Sequence, residues 1–89
     1  MIVDLQRFIA EEKKYWGELE ASLDRLDGDA LRKMDFDEVR RFHYLYQRTS
    51  SGLARVMGLS AEAEIRRYLE SLVARAYAEV HEIRGKTGF

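Results

Sequence analysis

Neither cysteine nor proline occurs among the 89 residues. Without cysteine there is no disulfide framework and no thiolate metal site, and a reducing compartment is permitted. Without proline, no ring interrupts a helix anywhere in the chain. Long hydrophobic runs are missing as well. The ~18 consecutive apolar residues that a membrane span requires never occur. The opening Met1-Ile2-Val3-Asp4 breaks into charge before a signal-peptide core can form. No purely polar tail is visible, and with 46% hydrophobic and 35% charged residues the chain falls among globular helical proteins rather than disordered ones.

What is present is helical periodicity. Three amphipathic runs, about residues 4–26, 36–57 and 61–83, each carry an apolar stripe at helical spacing. They predict an all-α fold, an antiparallel three-helix bundle with a single core. Residues 1–84 form that bundle domain in this reading, and 85–89 a flexible C-terminal end.

In the first run Leu5, Leu19 and Leu26 share one heptad position, Phe8 and Tyr15 a second, and Ile9, Trp16 and Leu23 a third. So wide a stripe suits contact with two neighbouring helices. Glu12 lies on the Leu5 line, in the middle of it. A carboxylate there must reach solvent at the edge of a groove or find a cation, because burial without a partner is costly. Arg75 and Arg48, beside the apolar faces of the later helices, are the candidate partners for a structural ion pair.

Punctuation between the runs is readable. Asp27-Gly28-Asp29-Ala30 ends helix one with a glycine suited to a left-handed C-terminal position. Asp35 is placed as the N-cap of helix two, with Glu38 three residues on and Met34 and Val39 as a hydrophobic staple. Asp35, Asp37 and Glu38 also suit the helix dipole. The helix-two stripe runs through Val39, Phe42, Tyr46, Thr49, Leu53 and Val56, with Leu45 alongside. Thr49-Ser50-Ser51-Gly52 is small and weakly helix-favouring, which permits close helix approach or a bend. Gly58-Leu59-Ser60 closes helix two, and Ser60 caps helix three. There the stripe is Ile65, Leu69, Leu72, Val73, Ala76, Val80 and Ile83, bordered by Tyr68 and Tyr77.

Net charge is −1, but the thirds differ. Residues 1–30 hold eight acids and four bases, residues 31–60 three acids and six bases, and the last third five of each. Packing the first two helices antiparallel sets unlike fields side by side. This favours internal complementarity over a nucleic-acid footprint, which needs a net basic face and a reading helix. Aromatics are spread over all three helices, more than thin helices can enclose, so some show an edge to water. Tyr44, off the stripe between His43 and Leu45, is the expected exposed member, and with Arg40 and Arg41 it is the candidate partner surface.

Catalytic and metal patterns fail in turn. His43 and His81 have no Glu or His at the −3 or −4 position that helical metal motifs use, so no metal ligands are assigned. Gly85-Lys86-Thr87 imitates the end of a phosphate-binding loop, but Val80 stands where its first glycine belongs. Serines 22, 50, 51, 60 and 71 lack a defensible His and acid arrangement. No catalytic residue, no cofactor and no enzyme activity are expected.

The segments His43-Tyr44-Leu45-Tyr46-Gln47-Arg48-Thr49-Ser50-Ser51-Gly52-Leu53-Ala54-Arg55 and Tyr68-Leu69-Glu70-Ser71-Leu72-Val73-Ala74-Arg75-Ala76-Tyr77, after an opening Phe8 to Leu19 that contains Trp16, resemble the N-terminal region of the stage II sporulation protein M family. The likeness runs from about Val3 to Ile83. It departs at Gly52, where relatives often have an acid, and at Tyr77, where they often have a histidine. The resemblance implies the cytosolic N-terminal region of a bacterial or archaeal multi-pass membrane protein, with the Gly-rich, basic end at 85–89 leading to membrane segments absent from this chain. It supplies no catalytic residues. The expected function is therefore a non-catalytic docking or assembly module on the cytoplasmic face of the membrane, with protein partners. Two alternatives stay open: a free-standing soluble adaptor that homodimerises through exposed aromatics, and a nucleic-acid-binding domain using Arg40, Arg41, Arg48 and Arg55.

Overall fold

The computed structural model describes residues 5–28, 34–58 and 63–86. They form helices α1 (Leu5–Gly28), α2 (Phe36–Met57) and α3 (Ala63–Lys86), with no strand among the described residues. The expected start of helix one at Asp4, the turn at Asp29 and Ala30, the Ser60 cap, Ala61, the side chain of Ile83 and residues 87–89 lie outside the described residues. Two ends differ from expectation. Helix α1 continues through Asp27 to Gly28, and α3 continues through Gly85 and Lys86, which were expected in a flexible end. Each added residue of an existing helix gains one backbone hydrogen bond, and glycine opposes this by only ~1 kcal/mol.

The start of α2 is set by its cap. Asp35 adopts extended backbone and its carboxylate accepts from the Glu38 N–H at 2.8 Å, satisfying one of the donors that a helix N-terminus leaves unpaired. At the other end the Gly58 N–H donates to the Ala54 and Arg55 carbonyls, at 3.3 and 3.2 Å.

Cross-helix contacts give the topology. Arg41 meets Glu18 and Arg48 meets Glu12, so α1 and α2 run in opposite directions. Tyr68 meets Glu20 and Arg75 meets Asp27, so α1 and α3 run the same way. The result is an up-down-up bundle measuring 47 × 21 × 21 Å.

The three stripes meet in one core. Trp16, Leu19 and Leu23 from α1, Phe42, Leu45 and Val56 from α2, and Leu69, Leu72 and Ala76 from α3 are buried together. Leu5, Phe8, Ile9, Tyr15, Leu26, Met34, Tyr46, Leu53, Ile65, Tyr68 and Val80 pack around them. Thr49 is buried among these apolar groups. Its hydroxyl, the Ser50 hydroxyl and the Trp16 Nε1 make no hydrogen bond among the described residues. Trp16 is the aromatic hub, edge-on to Phe8 at 6.2 Å and to Tyr68 at 6.5 Å.

Gly52 of α2 faces that hub. A Cβ at this position would lie 3.6 Å from the Phe8 ring tip and 3.7 Å from Trp16 Nε1, which is ordinary van der Waals contact. The glycine is thus not demanded by sterics, and α2 continues unbroken through it.

Two stability predictions result. Truncating Trp16, Phe42 or Leu72 to alanine lowers the unfolding free energy by about 2–5 kcal/mol in urea titration, because each leaves a cavity in a core too small to collapse around it. Gly52→Ala raises it by about 0.5–1 kcal/mol, through the loss of unfolded-state freedom at a helical site with room for a methyl group. A destabilised Gly52→Ala variant would mean that α1 and α2 approach more closely than the ordinary contacts at Gly52.

Candidate functional site

Every seventh residue of α2 from Arg41 onward is an arginine: Arg41, Arg48 and Arg55. Seven residues are nearly two helical turns, so the three side chains line one edge of α2, about 10 Å apart. In the antiparallel pair that edge faces α1, and α1 is the acidic helix. The seam between them is the most densely built polar feature among the described residues.

At the first rung Arg41 grips Glu18 with two hydrogen bonds of 2.7 Å and lies over the Tyr44 ring at 5.4 Å. The hydrogen bonds from Arg41 hold the Glu18 carboxyl below its ordinary pKa, and the same pairing raises that of Arg41. At the second rung Arg48 donates to both oxygens of Glu12, at 2.9 and 2.8 Å. It also donates to the Tyr44 hydroxyl at 2.8 Å, and its guanidinium sits 4.1 Å from the centre of the Tyr15 ring. The Glu12 hydrogen bonds, reinforced by Tyr44, hold Arg48 still more firmly in its charged form, against the opposing effect of burial. Tyr15 and Tyr44 meet edge to face at 6.4 Å and frame the pair.

The third rung differs. Arg55 lies over the Phe8 ring at 5.3 Å and has no carboxylate among the described residues. Beside it an open cavity of about 430 Å³ is lined by Phe8, Glu12, Tyr44, Gln47, Arg48, Ser51, Gly52 and Arg55.

Glu12 thus has Arg48, not Arg75, as its partner, and its side chain is 12% exposed. Arg75 is on the other side of α1, where it donates to Asp24 at 3.1 Å and Asp27 at 2.8 Å. The bundle explains the choice. Glu12 lies near the N-terminal end of α1, level with the middle of antiparallel α2, whereas Arg75 in parallel α3 is level with the C-terminal turns of α1. On that α3 side Tyr68 donates to Glu20 at 2.8 Å, and burial with this bond pushes its pKa up to about 12.

Of the surface anticipated at Tyr44, Arg40 and Arg41, the structure ties Arg41 and Tyr44 into the seam and leaves Arg40 outward, over the Phe36 ring at 5.7 Å. Tyr44 is 40% exposed, but Phe36 at 74% and Tyr77 at 55% are more so. Phe36 opens α2 at its exposed first turn, and Tyr77 sits one step beyond the α3 stripe, stacked on His81 at 5.3 Å. Between these helices a second open cavity, about 460 Å³, is lined by Val39, Arg40, Phe42, His43, Tyr44, Gln47 and Val80. Tyr44 and Gln47 line both cavities. The exposed row Arg40, Tyr44, Gln47, Ser51 and Arg55 is therefore a ridge with a groove on either side.

Among the described residues no group of three or more His, Cys, Asp or Glu could hold a metal ion, and no helix is long and apolar enough to cross a membrane.

A family described as a domain of unknown function, DUF8413, matches residues 6–82. The chain belongs to the DUF8413 family. No curated protein and no solved structure matches it. The DUF8413 match takes in all three arginines of the seam and both flanking grooves, so these features lie inside the family's extent. In this DUF8413 domain the heptad of arginines was legible in the sequence, although reading α2 for its apolar stripe alone passes over it.

The pairing at the second rung has a direct test. Glu12→Gln and Arg48→Met each lower the urea midpoint, and the double variant loses less than the two single losses added together, because either change alone strands the other group in the seam. Strictly additive losses would show that the two side chains act independently.

Proposed function

We propose that this DUF8413 domain is a non-catalytic docking module that presents the outward side of α2 to a protein partner. One observation carries the reading. Four ionisable groups of the α1/α2 seam are closed into the pairs Arg41–Glu18 and Arg48–Glu12, while Phe36 and Tyr77 stay solvent-exposed on the helix pair that encloses the Val39 and Val80 groove. Ion pairs closed on themselves do no proton or group transfer, whereas exposed aromatics beside an apolar groove are the composition of an interface centre.

The resemblance to the N-terminal region of the stage II sporulation protein M family supplies a setting for this module, the cytosolic side of a membrane protein. The partner would then be drawn from the assembly around that protein. Nucleic acid is the less favoured occupant, because carboxylates of α1 already neutralise Arg41 and Arg48. That leaves Arg40 and Arg55 as the outward cations of α2, fewer than a phosphate-tracking face uses.

The test is site-specific photo-cross-linking in the native host, with benzoylphenylalanine at Phe36, at Tyr77, or at exposed Ala21 on α1 as a control. Discrete products are expected from positions 36 and 77 and none from 21. A product of twice the chain mass would assign the face to a second copy in place of a foreign partner. No product at 36 and 77, or the same products at 21, would overturn the docking reading.

A further inference from the structure

The seam repeats one arrangement: an α2 arginine, an aromatic ring beneath its guanidinium, and a carboxylate on its donors. Arg41 has Tyr44 and Glu18, and Arg48 has Tyr15 and Glu12. Arg55 has Phe8 and no acid among the described residues. The reason is in the α1 sequence. From Glu18 to Glu12 is six residues, and a further six or seven reaches Gln6 or Leu5, neither of them acidic. Among the described residues the third rung therefore carries the cation and the ring but lacks the anion.

We propose that the cavity at this rung is a carboxylate site, and that its occupant is an acidic side chain, glutamate or aspartate, of a protein partner. The inference rests on the docking reading and adds the chemistry that the partner must present. Three features support it. Charge is the first: Arg48 and Arg55 both line the cavity against the single carboxylate of Glu12, and both Glu12 oxygens are engaged by Arg48. Among the described residues lining it, the cavity thus carries one positive charge in excess. Shape is the second, since about 430 Å³ between Phe8, the backbone at Gly52 and the Arg55 side chain admits a short apolar stem with a polar head, while Gln47 and Ser51 add donors at the rim. Continuity is the third. The cavity shares Tyr44 and Gln47 with the groove on the α3 side, so a segment lying along the ridge can reach both. A carboxylate on a planar guanidinium, backed by an aromatic face, forms charge-assisted hydrogen bonds of the kind made at the two filled rungs.

The experiment is an NMR titration of the whole ¹⁵N-labelled chain with the capped peptide Ac-Ala-Leu-Glu-Leu-Ala-NH₂, its Glu→Gln counterpart, and acetate. The expected result is saturable shifts at the amides of Phe8, Ser51 and Gly52 and at the Arg55 side-chain N–H with the glutamate peptide, with the glutamine peptide about tenfold weaker. Arg55→Gln should remove the preference for the glutamate peptide, and Arg67→Gln, on exposed α3, should retain it. Equal binding of the two peptides, a preference that survives Arg55→Gln, acetate matching the peptide, or no saturable binding of either up to about 10 mM each overturns the proposal. Its failure is separable from that of the docking face. Cross-linking at Phe36 and Tyr77 with no glutamate preference at Arg55 retains docking without the carboxylate site, and the reverse outcome retains a carboxylate site without that docking face.

Discussion

Mutual burial of three apolar stripes is the constraint on which everything else in this molecule depends. Each helix has one greasy side and a surface of charges, and most of a helix's stability in a protein comes from packing that side against its neighbours. The stripes meet on Trp16, Leu45, Leu69 and their neighbours. Once they do, the rotation of each helix about its axis is set, and with it the residues that fall at the seams. Arg41, Arg48 and Arg55 are at the α1 seam because Leu45, Thr49, Gly52 and Val56 are in the core. The polar architecture is thus a consequence of the apolar one.

The seam in turn restricts which packing the stripes adopt. Leucines and valines tolerate small slides and rotations at little cost, but a carboxylate held by two donors does not. Glu12 on Arg48 and Glu18 on Arg41 define one axial offset between α1 and α2. A slide of one turn, about 5.4 Å, would separate both pairs and leave Glu12 in the stripe without a cation. Pairs as exposed as Arg41 and Glu18 add little net stability. Their effect is on register, by penalising the alternatives. On the far side of α1 the same role falls to Arg75 with Asp24 and Asp27, and to Tyr68 with Glu20.

Much of this could be read from the residues, and the parts that could not share a cause. Helix positions, the Asp35 cap and the central core positions follow from local spacing, which depends on one helix at a time. The partner of Glu12 depends on how two helices are offset, and local spacing admits both Arg48 and Arg75. The rank of exposed aromatics behaves likewise. Tyr44 lies off its own stripe, yet Tyr15, Arg41 and Arg48 on the adjoining seam cover much of it. Phe36 looked like part of a helix start and has no neighbouring helix to cover it. The extension of α3 through Gly85 went unseen for another reason: a glycine lowers helix propensity without forbidding helix, so composition is a weak guide to where a helix ends.

In the proposed docking, the division of labour among the helices makes α2 the recognition element. Each of the three contributes to the core, but Glu12 and Glu18 of α1 are spent on α2, and Arg75 of α3 on Asp24 and Asp27 of α1. The outward row of α2 from Arg40 to Arg55 is different. Both of its ends are cations resting on aromatic rings, Phe36 and Phe8, rather than on carboxylates. A guanidinium on a ring keeps its position and its donors, whereas one on a carboxylate has used them. The two arginines that α1 neutralises hold the bundle in register, and the two that it does not are presented in fixed places about 22 Å apart on a straight helix. In the proposed docking, a helical partner would match that separation with acids about fifteen residues apart. Specificity of this kind needs no catalytic chemistry, because it comes from rigid spacing of a few charges with apolar grooves between them.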